Sequence, residues 1–417
     1  MSKKLTQWRV IIGVFFHYLP ELSKLGFKNF KVLLRRLLLL LSKLKHNKYI
    51  KFGKGIRLDL YVPSFPSKAF FTACDKFKVF DGSKFPCTGA LISITKACQF
   101  KCVHCYQRLD KGADTPLPVL IEVVKNLQNK GVAFFNIEGG DPFLTYDRLK
   151  DVCDSIDDRS EIWVNSTGMG MTVERLRKLN IDAVMFSLHS YIPEKLNEFM
   201  GREDAWETME AGVKMCHEAG VPVAFNTCLM KEAFYDGTFE KLMETTKKFG
   251  ASLVQIIKPK PAGAWLETNK EFFSAEDEKV VIDKVNMYNL DKKYRDYPAI
   301  SAQIIEEHPD VFGCTAGGTD RFYLNAKGDV QPCEFLNISF GNINEEDFDT
   351  IYNRMRKIFS TPGNCMLCEK CSGQIDNIYK ENQLESLPLH NELSKLVYEN
   401  WNPGAETDLY KKAKEIK

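Results

Sequence analysis

The sequence predicts an α/β fold built on a parallel sheet, with a basic helical segment before it and a small cysteine-rich α+β segment after it. Between residues 91 and 257 strand-like runs alternate with helical patterns, and the runs read LISIT, FFNIE, EIWVN, AVMFSL, VAFNTCL and LVQII. Helical patterns such as Leu117 to Lys130 and Trp206 to Ala219 separate them. Regular alternation of this kind predicts βαβ units and parallel strands.

The N-terminal segment differs in charge from the rest of the chain. Residues 1–57 hold 14 of the 57 Lys and Arg residues and a single acid, Glu21, so the remainder is net acidic. From Phe27 to Lys45 the sequence predicts a leucine-rich helix, too short and too charged to cross a bilayer. It can lie in a membrane interface with aromatic anchors beside it, or pack against the protein's own barrel or a second subunit. The candidate anchors are Trp8, Phe15 and Phe16.

Cysteine usage indicates a reducing compartment. Most of the thirteen cysteines fall in two tight groups, a pattern typical of metal ligation and unlike a disulfide framework. The apolar stretch from Val10 to Leu19 is short and meets Pro20, so we expect no cleavable signal peptide. The expected location is therefore the cytoplasm. If the basic helix binds lipid, the protein contacts the inner face of the membrane peripherally. The leucines of that helix do not suit a phosphate backbone, so no nucleic-acid partner is expected.

The first cysteine group is the most informative motif. Cys98, Cys102 and Cys105 form a C-x3-C-x2-C run just after the first strand-like run. Three thiolates on one loop can bind three irons of a 4Fe–4S cluster and leave the fourth iron open for chemistry. The alternative is a zinc site, for which His104 is the only nearby fourth ligand.

This spacing, followed directly by the aromatic Tyr106, resembles the radical S-adenosylmethionine (SAM) superfamily. The resemblance implies a partial (β/α)6 TIM-like barrel whose open iron binds SAM. One electron from a low-potential donor such as flavodoxin or ferredoxin then cleaves SAM to methionine and a 5'-deoxyadenosyl radical, which abstracts a hydrogen atom from the substrate. No cobalamin-binding domain is expected before this core.

The resemblance extends to residues at the ends of the following strands. The second run leads into Gly139-Gly140-Asp141-Pro142. The corresponding family motif is GGEP, which binds the SAM amino group. Asp141 departs from this motif, so the expected binding of the SAM amino group rests more on the two glycines and Pro142. The third and later runs supply further expected SAM contacts, namely Asn165, Ser166, Ser187 and Asn226.

Other polar residues near these strand ends have open roles. His189 stands where many relatives have Asp, and it is either a substrate or proton-transfer residue or an ordinary polar strand end. Lys258 is a possible SAM or substrate contact, and Arg202 either grips a carboxylate or forms a surface ion pair. The dispersed cysteines, with buried structural thiols as their default, are Cys74, Cys87, Cys153, Cys216 and Cys228.

The second cysteine group begins with Cys314, Gly328 and Cys333, whose spacing resembles the opening of the auxiliary-cluster extensions called SPASM and twitch domains. Residues 323–325 and 329–331 predict the two arms of a hairpin that brings these cysteines together. The later C-x2-C-x2-C run consists of Cys365, Cys368 and Cys371. Five cysteines suit a shortened, twitch-like domain with one auxiliary 4Fe–4S cluster, bound by Cys314, Cys333 and two of the other three; structural zinc is the alternative.

These inferences divide the chain into a basic amphipathic helical segment at 1–57, a lead-in at 58–90, a core barrel at 91–300, an auxiliary-cluster domain at 301–380 and a helical tail at 381–417. The expected function is that of a radical SAM enzyme, an oxidoreductase or a carbon-skeleton-modifying enzyme. A lipid or membrane-associated substrate is favoured by the N-terminal segment, and peptide modification by the SPASM-like extension. A non-enzymatic iron–sulfur or zinc protein is the contrasting class.

Overall fold

The computed structural model describes residues 3–78, 87–268 and 273–417. The N-terminal segment is a helical hairpin of α1 (Lys3–Tyr18) and α2 (Leu22–Lys43), joined by one 3-10 turn. The hairpin is antiparallel, because Lys3 Nζ at its start donates to the carbonyl oxygen of Lys45 at 2.5 Å. Its inner side packs on Ile56 of a short strand and on a short helix, which are β2 (Gly55–Arg57) and α3 (Lys68–Asp75). Strand β2 pairs antiparallel with β1 (Ile50–Phe52).

By length and composition alone, one helical run of the described residues, Lys3–His46, passes as a possible membrane span, and 17% of its most apolar window is buried. The fold interrupts that run at the 3-10 turn Leu19–Glu21 and again at Gly26, whose φ of 74° and ψ of 152° are not helical, and the arms on either side are antiparallel. Helix α1 has 16 residues and is therefore about 24 Å long, shorter than a hydrocarbon core of about 30 Å.

The core barrel alternates strands and helices as predicted. Its elements are β3 (Gly89–Ser93), α4 (Leu117–Asn129), β4 (Phe134–Glu138), α5 (Tyr146–Asp154), β5 (Glu161–Ser166), α6 (Val173–Arg177), β6 (Ala183–Ser187), α7 (Pro193–Met200), α8 (Ala205–Ala219), β7 (Val223–Cys228), α9 (Thr238–Lys248), β8 (Leu253–Ile257), α10 (Ala275–Leu290) and β9 (Ala299–Ala302). Strands β3 to β9 are parallel neighbours in chain order, which confirms the α/β class and the six strand-like runs as β3 to β8.

The remaining elements are α11 (Gln303–Glu306), β10 (Arg321–Leu324), β11 (Val330–Gln331), α12 (Phe348–Ile358), α13 (Leu367–Glu381), α14 (Asn391–Tyr398) and α15 (Asp408–Glu415). Strands β10 and β11 form the predicted hairpin, with Tyr323 opposite Gln331. Strand β10 also pairs in parallel with β3, so among the described residues the sheet has nine strands in the order β11-β10-β3-β4-β5-β6-β7-β8-β9. The sheet therefore continues past residue 300, where the sequence places a domain boundary.

A buried cation closes the end of the barrel at which the strands begin. Arg57 is 1% exposed, and its guanidinium lies 4.4 Å from the ring centre of Trp163 and pairs with Glu161 at the start of β5. Because a charge buried this deeply is tolerated only with such partners, the lead-in is an integral part of the barrel. The opposite end, where the strands finish, is left for the site.

Candidate active site

The carboxyl ends of the barrel strands surround a cavity of about 390 Å³. In a barrel of parallel strands, functional residues gather at this end because the loops after the strands converge there. Most of the residues predicted from the sequence line this one cavity, namely Cys98, Cys102, Cys105, Tyr106, Gly139, Gly140, Asn165, Ser166, Ser187 and Asn226. The structure thus brings together side chains from β4, β5, β6 and β7 with the cysteine loop after β3.

Hydrogen bonds hold the cysteine loop on both sides. At its start the Thr95 hydroxyl donates to Asp114 at 2.7 Å. At its centre the backbone N–H of Val103 donates to the Phe199 carbonyl in α7 at 3.0 Å, and at its end the Cys105 carbonyl accepts from the Ala264 N–H at 3.0 Å. The loop is therefore fixed by three separate parts of the chain.

The three cysteines of this loop are enclosed to different degrees, with Cys98 exposed and Cys102 and Cys105 half-buried. Burial raises the pKa of Cys102 to about 12 and also raises the pKa of Cys98 and of Cys105. Thiols with raised pKa release their protons when iron binds, since the thiolate is the ligand. Within the described chain no three His, Cys, Asp or Glu side chains already form a metal-binding group. Three thiols on one anchored loop facing one cavity nevertheless fit the donor set of a SAM-binding cluster.

The two glycines of the Gly139-Gly140 pair let the loop after β4 press against the cysteine loop. The Gly140 N–H donates to the Thr95 carbonyl and the Asp141 N–H to the Ala97 carbonyl, both at 2.8 Å. A Cβ on Gly140 would lie 2.3 Å from the Ala97 oxygen, and one on Gly139 would lie 2.4 Å from the Thr95 oxygen. The sequence attributes these glycines to the approach of SAM, and the structure shows that they also permit contact between two loops.

Asp141 and Pro142 are the two predicted SAM contacts that do not line the cavity. Asp141 is fully buried and accepts hydrogen bonds from the Ser166 hydroxyl at 2.8 Å and the Thr167 N–H at 3.0 Å. Its carboxylate therefore connects the loop after β4 to the end of β5. Thr167 lines the cavity beside Ser166 and was not singled out in the sequence, where a Thr between Ser166 and Gly168 is an ordinary strand end.

Several buried polar atoms around the cavity lack a hydrogen-bond partner in the described part of the protein. They are Glu138 Oε1, Asn165 Oδ1, His189 Nε2 and Asn226 Oδ1. Unpartnered buried polar atoms cost free energy, and a polar ligand in the cavity would satisfy them. This is the observation that fits SAM and substrate to these residues.

Glu138 is a site residue that sequence reasoning missed. It accepts from the Asn165 side-chain amide at 3.0 Å and from Asn136 at 3.2 Å. Burial, and then the charge of nearby Glu334, raise the pKa of Glu138 to about 8, so the carboxyl is largely protonated at neutral pH. Its only sequence signal is an acid that ends a buried strand.

Two neutral imidazoles form another part of the wall. The rings of His104 and His189 lie 4.5 Å apart, and Phe199 packs on both. Burial lowers the pKa of His104 to about 4 and lowers that of His189 well below its usual range. His189 Nδ1 accepts from the Cys228 N–H at 3.0 Å, which places the proton of the neutral ring on Nε2. These contacts favour packing and cavity-lining roles for His104 over a zinc ligand.

The positive residues near the mouth have different surroundings. Lys260 Nζ lies 2.6 Å from Glu369 Oε1, and Lys258 Nζ lies 2.9 Å from Glu278 and 3.1 Å from Glu369. Both lysines line the cavity and connect it to α13 of the cysteine-rich segment. Arg202 instead pairs with Asp204 outside the cavity lining, which favours the surface ion pair.

The second cysteine group is largely buried, since Cys333, Cys368 and Cys371 are buried and Cys314 and Cys365 are half-buried. Burial raises the pKa of Cys368 to about 12 with a further contribution from Cys314, and burial raises the pKa of Cys333 with a further contribution from Cys368. The sulfur of Cys365 accepts a hydrogen bond from Lys370 Nζ at 2.8 Å. Cys371 lies one turn after Cys368 on α13. The dispersed cysteines are all buried, as predicted.

Comparisons with known proteins bear on the same residues. The model of the radical SAM superfamily matches residues 92–245, and that of an iron–sulfur cluster-binding domain, SPASM, matches residues 314–372. Curated relatives include an AdoMet-dependent heme synthase of Oleidesulfovibrio alaskensis, 24% identical over 66% of this chain and 78% of the relative. Another is a probable GTP 3',8-cyclase of Saccharolobus solfataricus, 22% identical over 58% of this chain and 81% of the relative.

Solved structures share the fold. Streptococcus suis SuiB bound to precursor peptide SuiA superposes with a TM-score of 0.54 and 16% identity over 77% of this chain and 79% of that one. The protein anSMEcpe with bound AdoMet superposes with a TM-score of 0.50 and 15% identity over 79% of this chain and 95% of that one. The two matched domains imply a SAM-binding 4Fe–4S cluster, SAM and auxiliary iron–sulfur clusters. The chain is therefore an enzyme that belongs to the radical SAM superfamily and carries a C-terminal SPASM domain.

Proposed function

We propose that this enzyme abstracts a hydrogen atom from a lipid or membrane-associated substrate held at the barrel mouth. Cys98, Cys102 and Cys105 would hold a 4Fe–4S cluster, which would supply the electron for cleavage of the SAM C–S bond to methionine and a 5'-deoxyadenosyl radical. Abstraction of a substrate hydrogen atom would then give 5'-deoxyadenosine and leave a substrate radical. The electron is proposed to come from a low-potential donor such as flavodoxin or ferredoxin.

The observation that carries the proposal is the single cavity shared by the cysteine loop and the polar strand ends. Asn165 and Asn226 are proposed to orient SAM through side-chain oxygens that lack a hydrogen-bond partner in the described structure, and Ser166 lines the same cavity. His104, His189 and Phe199 form an aromatic wall that excludes water from a reactive radical. Glu138, largely protonated at neutral pH, adds a hydrogen-bond donor instead of a negative charge.

The lipid substrate class is supported by the N-terminal hairpin, which is basic and exposes large apolar side chains. The relatives named above act, by their names, on chemically different small molecules, so family membership leaves the substrate open. A peptide substrate is the second candidate, favoured by the precursor peptide bound to SuiB. A twitch-like auxiliary domain with one 4Fe–4S cluster remains part of the proposal, together with the cytoplasmic location.

The test begins with anaerobic reconstitution of the full chain with iron and sulfide, followed by reduction, addition of SAM and assay of 5'-deoxyadenosine. The matched control is Cys98→Ala, which removes one cluster ligand. We expect product from the wild type alone, and a further rise when membrane lipid extract is added. A rise with a peptide pool and none with lipid would replace the lipid substrate with a peptide. A bound cluster that yields no 5'-deoxyadenosine under any of these conditions would overturn the reaction.

A further inference from the structure

Helix α1 has two apolar faces, and the protein covers only one of them. Val10, Val14 and Tyr18, spaced four residues apart, are buried against α2 and α3. The Tyr18 hydroxyl also donates to Asp75 at the end of α3 at 2.7 Å. This face attaches α1 firmly to the folded body.

The opposite face of α1 carries large apolar side chains that are exposed. At 3.6 residues per turn they fall within an arc of about 100°. Its members are Leu5, Trp8, Ile12, Phe15 and Phe16, continued by Leu19 in the 3-10 turn, and Trp8 and Phe16 are each 63% exposed. We call these six residues the outer face. Most other exposed large apolar residues of the described chain are scattered singly, as on ordinary soluble surfaces.

Basic residues border the outer face. On the same wheel Lys4 falls just beyond one edge of the arc and Arg9 just beyond the other, and both are exposed. Glu21, the only acid of residues 1–57, is already paired with Lys78 at 2.9 Å. An apolar strip bordered by cations complements a surface that has an anionic outer layer over an apolar interior.

We infer that the outer face of α1 docks in the plane of an anionic lipid bilayer. Its apolar side chains enter the headgroup boundary while Lys4 and Arg9 contact lipid phosphates. The helix lies parallel to the membrane, because its other face is attached along its length to the folded body. A second copy of the chain is a poorer occupant, since a symmetric contact would bring the same bases together.

The inference deepens the proposed function, and its meaning for the substrate rests on that function. Docking brings the enzyme to the phase in which a lipid substrate is concentrated. Binding to vesicles is measured without turnover, and 5'-deoxyadenosine is measured without vesicles. Failure of one measurement is therefore distinguishable from failure of the other.

The experiment is flotation of the anaerobically reconstituted full-length protein with phosphatidylcholine vesicles that contain or lack phosphatidylglycerol. We expect flotation with the anionic vesicles only, weakened when salt is raised from about 0.1 M to about 0.5 M. The double variant Trp8→Ser, Phe16→Ser should lose about tenfold or more of its vesicle affinity. The matched control is Leu290→Ser, which changes a residue 51% exposed on α10 and should float like the wild type.

Three outcomes would overturn the inference. One is a wild-type protein that stays with the unbound fraction. Another is a double variant that floats as well as Leu290→Ser, because the outer face would then be irrelevant. The third is a dimer of the wild type, seen by light scattering, that the double variant abolishes while neither protein floats; the outer face would then be a contact between copies. Circular dichroism of the double variant checks that α1 and the rest of the fold remain.

Discussion

The buried carboxylate of Asp141 accepts a hydrogen bond from the Ser166 hydroxyl at 2.8 Å and thereby ties the loop after β4 to the end of β5. The same carboxylate accepts from the Thr167 N–H at 3.0 Å. Ser166 and Thr167 both line the cavity, whereas Asp141 lies behind them. Asp141 thus acts on the cavity through its neighbours.

Replacing Asp141 with Ala should destabilise the protein and weaken SAM binding together. The change leaves buried donors of Ser166 and Thr167 without their acceptor, at a cost of about 2–4 kcal/mol in the free energy of unfolding. Urea unfolding and equilibrium binding of SAM to the reconstituted protein measure the two effects. Asp151→Ala, at an exposed position on α5, is the control and should change neither. Normal stability of Asp141→Ala would contradict the bonding seen here.

A methyl group at Gly140 should disrupt the cysteine loop. The added Cβ would lie 2.3 Å from the Ala97 carbonyl, so the loop carrying Cys98 must move. We expect Gly140→Ala to retain less iron after reconstitution and to lose about 1–3 kcal/mol of stability. Gly89→Ala is the control, because its Cβ would meet only ordinary contacts, the nearest at 3.7 Å. Equal iron per chain in the two variants would show that the contact between the loops can relax.

The sequence predicted the parallel sheet because its strands are apolar runs of regular spacing, but two features of the sheet were beyond it. Strand β9 reads AISA, too short and too small in its side chains to stand out from a loop. Strand β10 was placed correctly in a hairpin, yet its pairing with β3 joins residues more than two hundred positions apart. Local patterns carry no information about such pairings.

In the candidate site, too, local motifs were predictable from the sequence and contacts between distant segments were not. The cysteine spacing and the glycine pair could be recognised because they are short and contiguous. The contact of His104 with His189 and that of Asp141 with Ser166 depend on the approach of separate loops. Glu138 was missed because its raised pKa comes from burial and from Glu334, neither of which a sequence displays.

Stability should depend on pH through Glu138. Burial raises the pKa of this carboxyl from 4.5 to about 8, so the folded state holds the proton more tightly than the unfolded state. Its contribution to stability is fully present below the unfolded pKa and is lost as the pH rises through about 8. Between about pH 5 and pH 9 the wild type should therefore lose of the order of 1–3 kcal/mol relative to Glu138→Gln.

Thermal unfolding of the iron-free protein across that pH range measures this difference. Glu174→Gln, which changes a fully exposed glutamate, is the matched control and should follow the wild-type curve. Parallel curves for the wild type and Glu138→Gln would show that Glu138 ionises normally in the folded protein.

The auxiliary cluster should depend unequally on the three late cysteines. Cys333, Cys368 and Cys371 are buried, whereas Cys365 is half-buried and its sulfur is engaged by Lys370 at 2.8 Å. Helical spacing places Cys371 on the same side of α13 as Cys368, three residues later. We therefore predict Cys314, Cys333, Cys368 and Cys371 as ligands and Cys365 as the spare thiol.

Iron analysis in a Cys98→Ala background, which removes the SAM-binding cluster, tests this assignment. Cys365→Ala should keep about four irons per chain and the paramagnetic resonance signal of a reduced 4Fe–4S cluster, whereas Cys368→Ala and Cys371→Ala should lose most of both. The contrast isolates the ligand role, because all three variants remove one thiol from the same short segment. The assignment would be reversed if Cys365→Ala lost the cluster and Cys371→Ala retained it. The segment before α13 would then have to turn Cys365 away from Lys370 when iron binds.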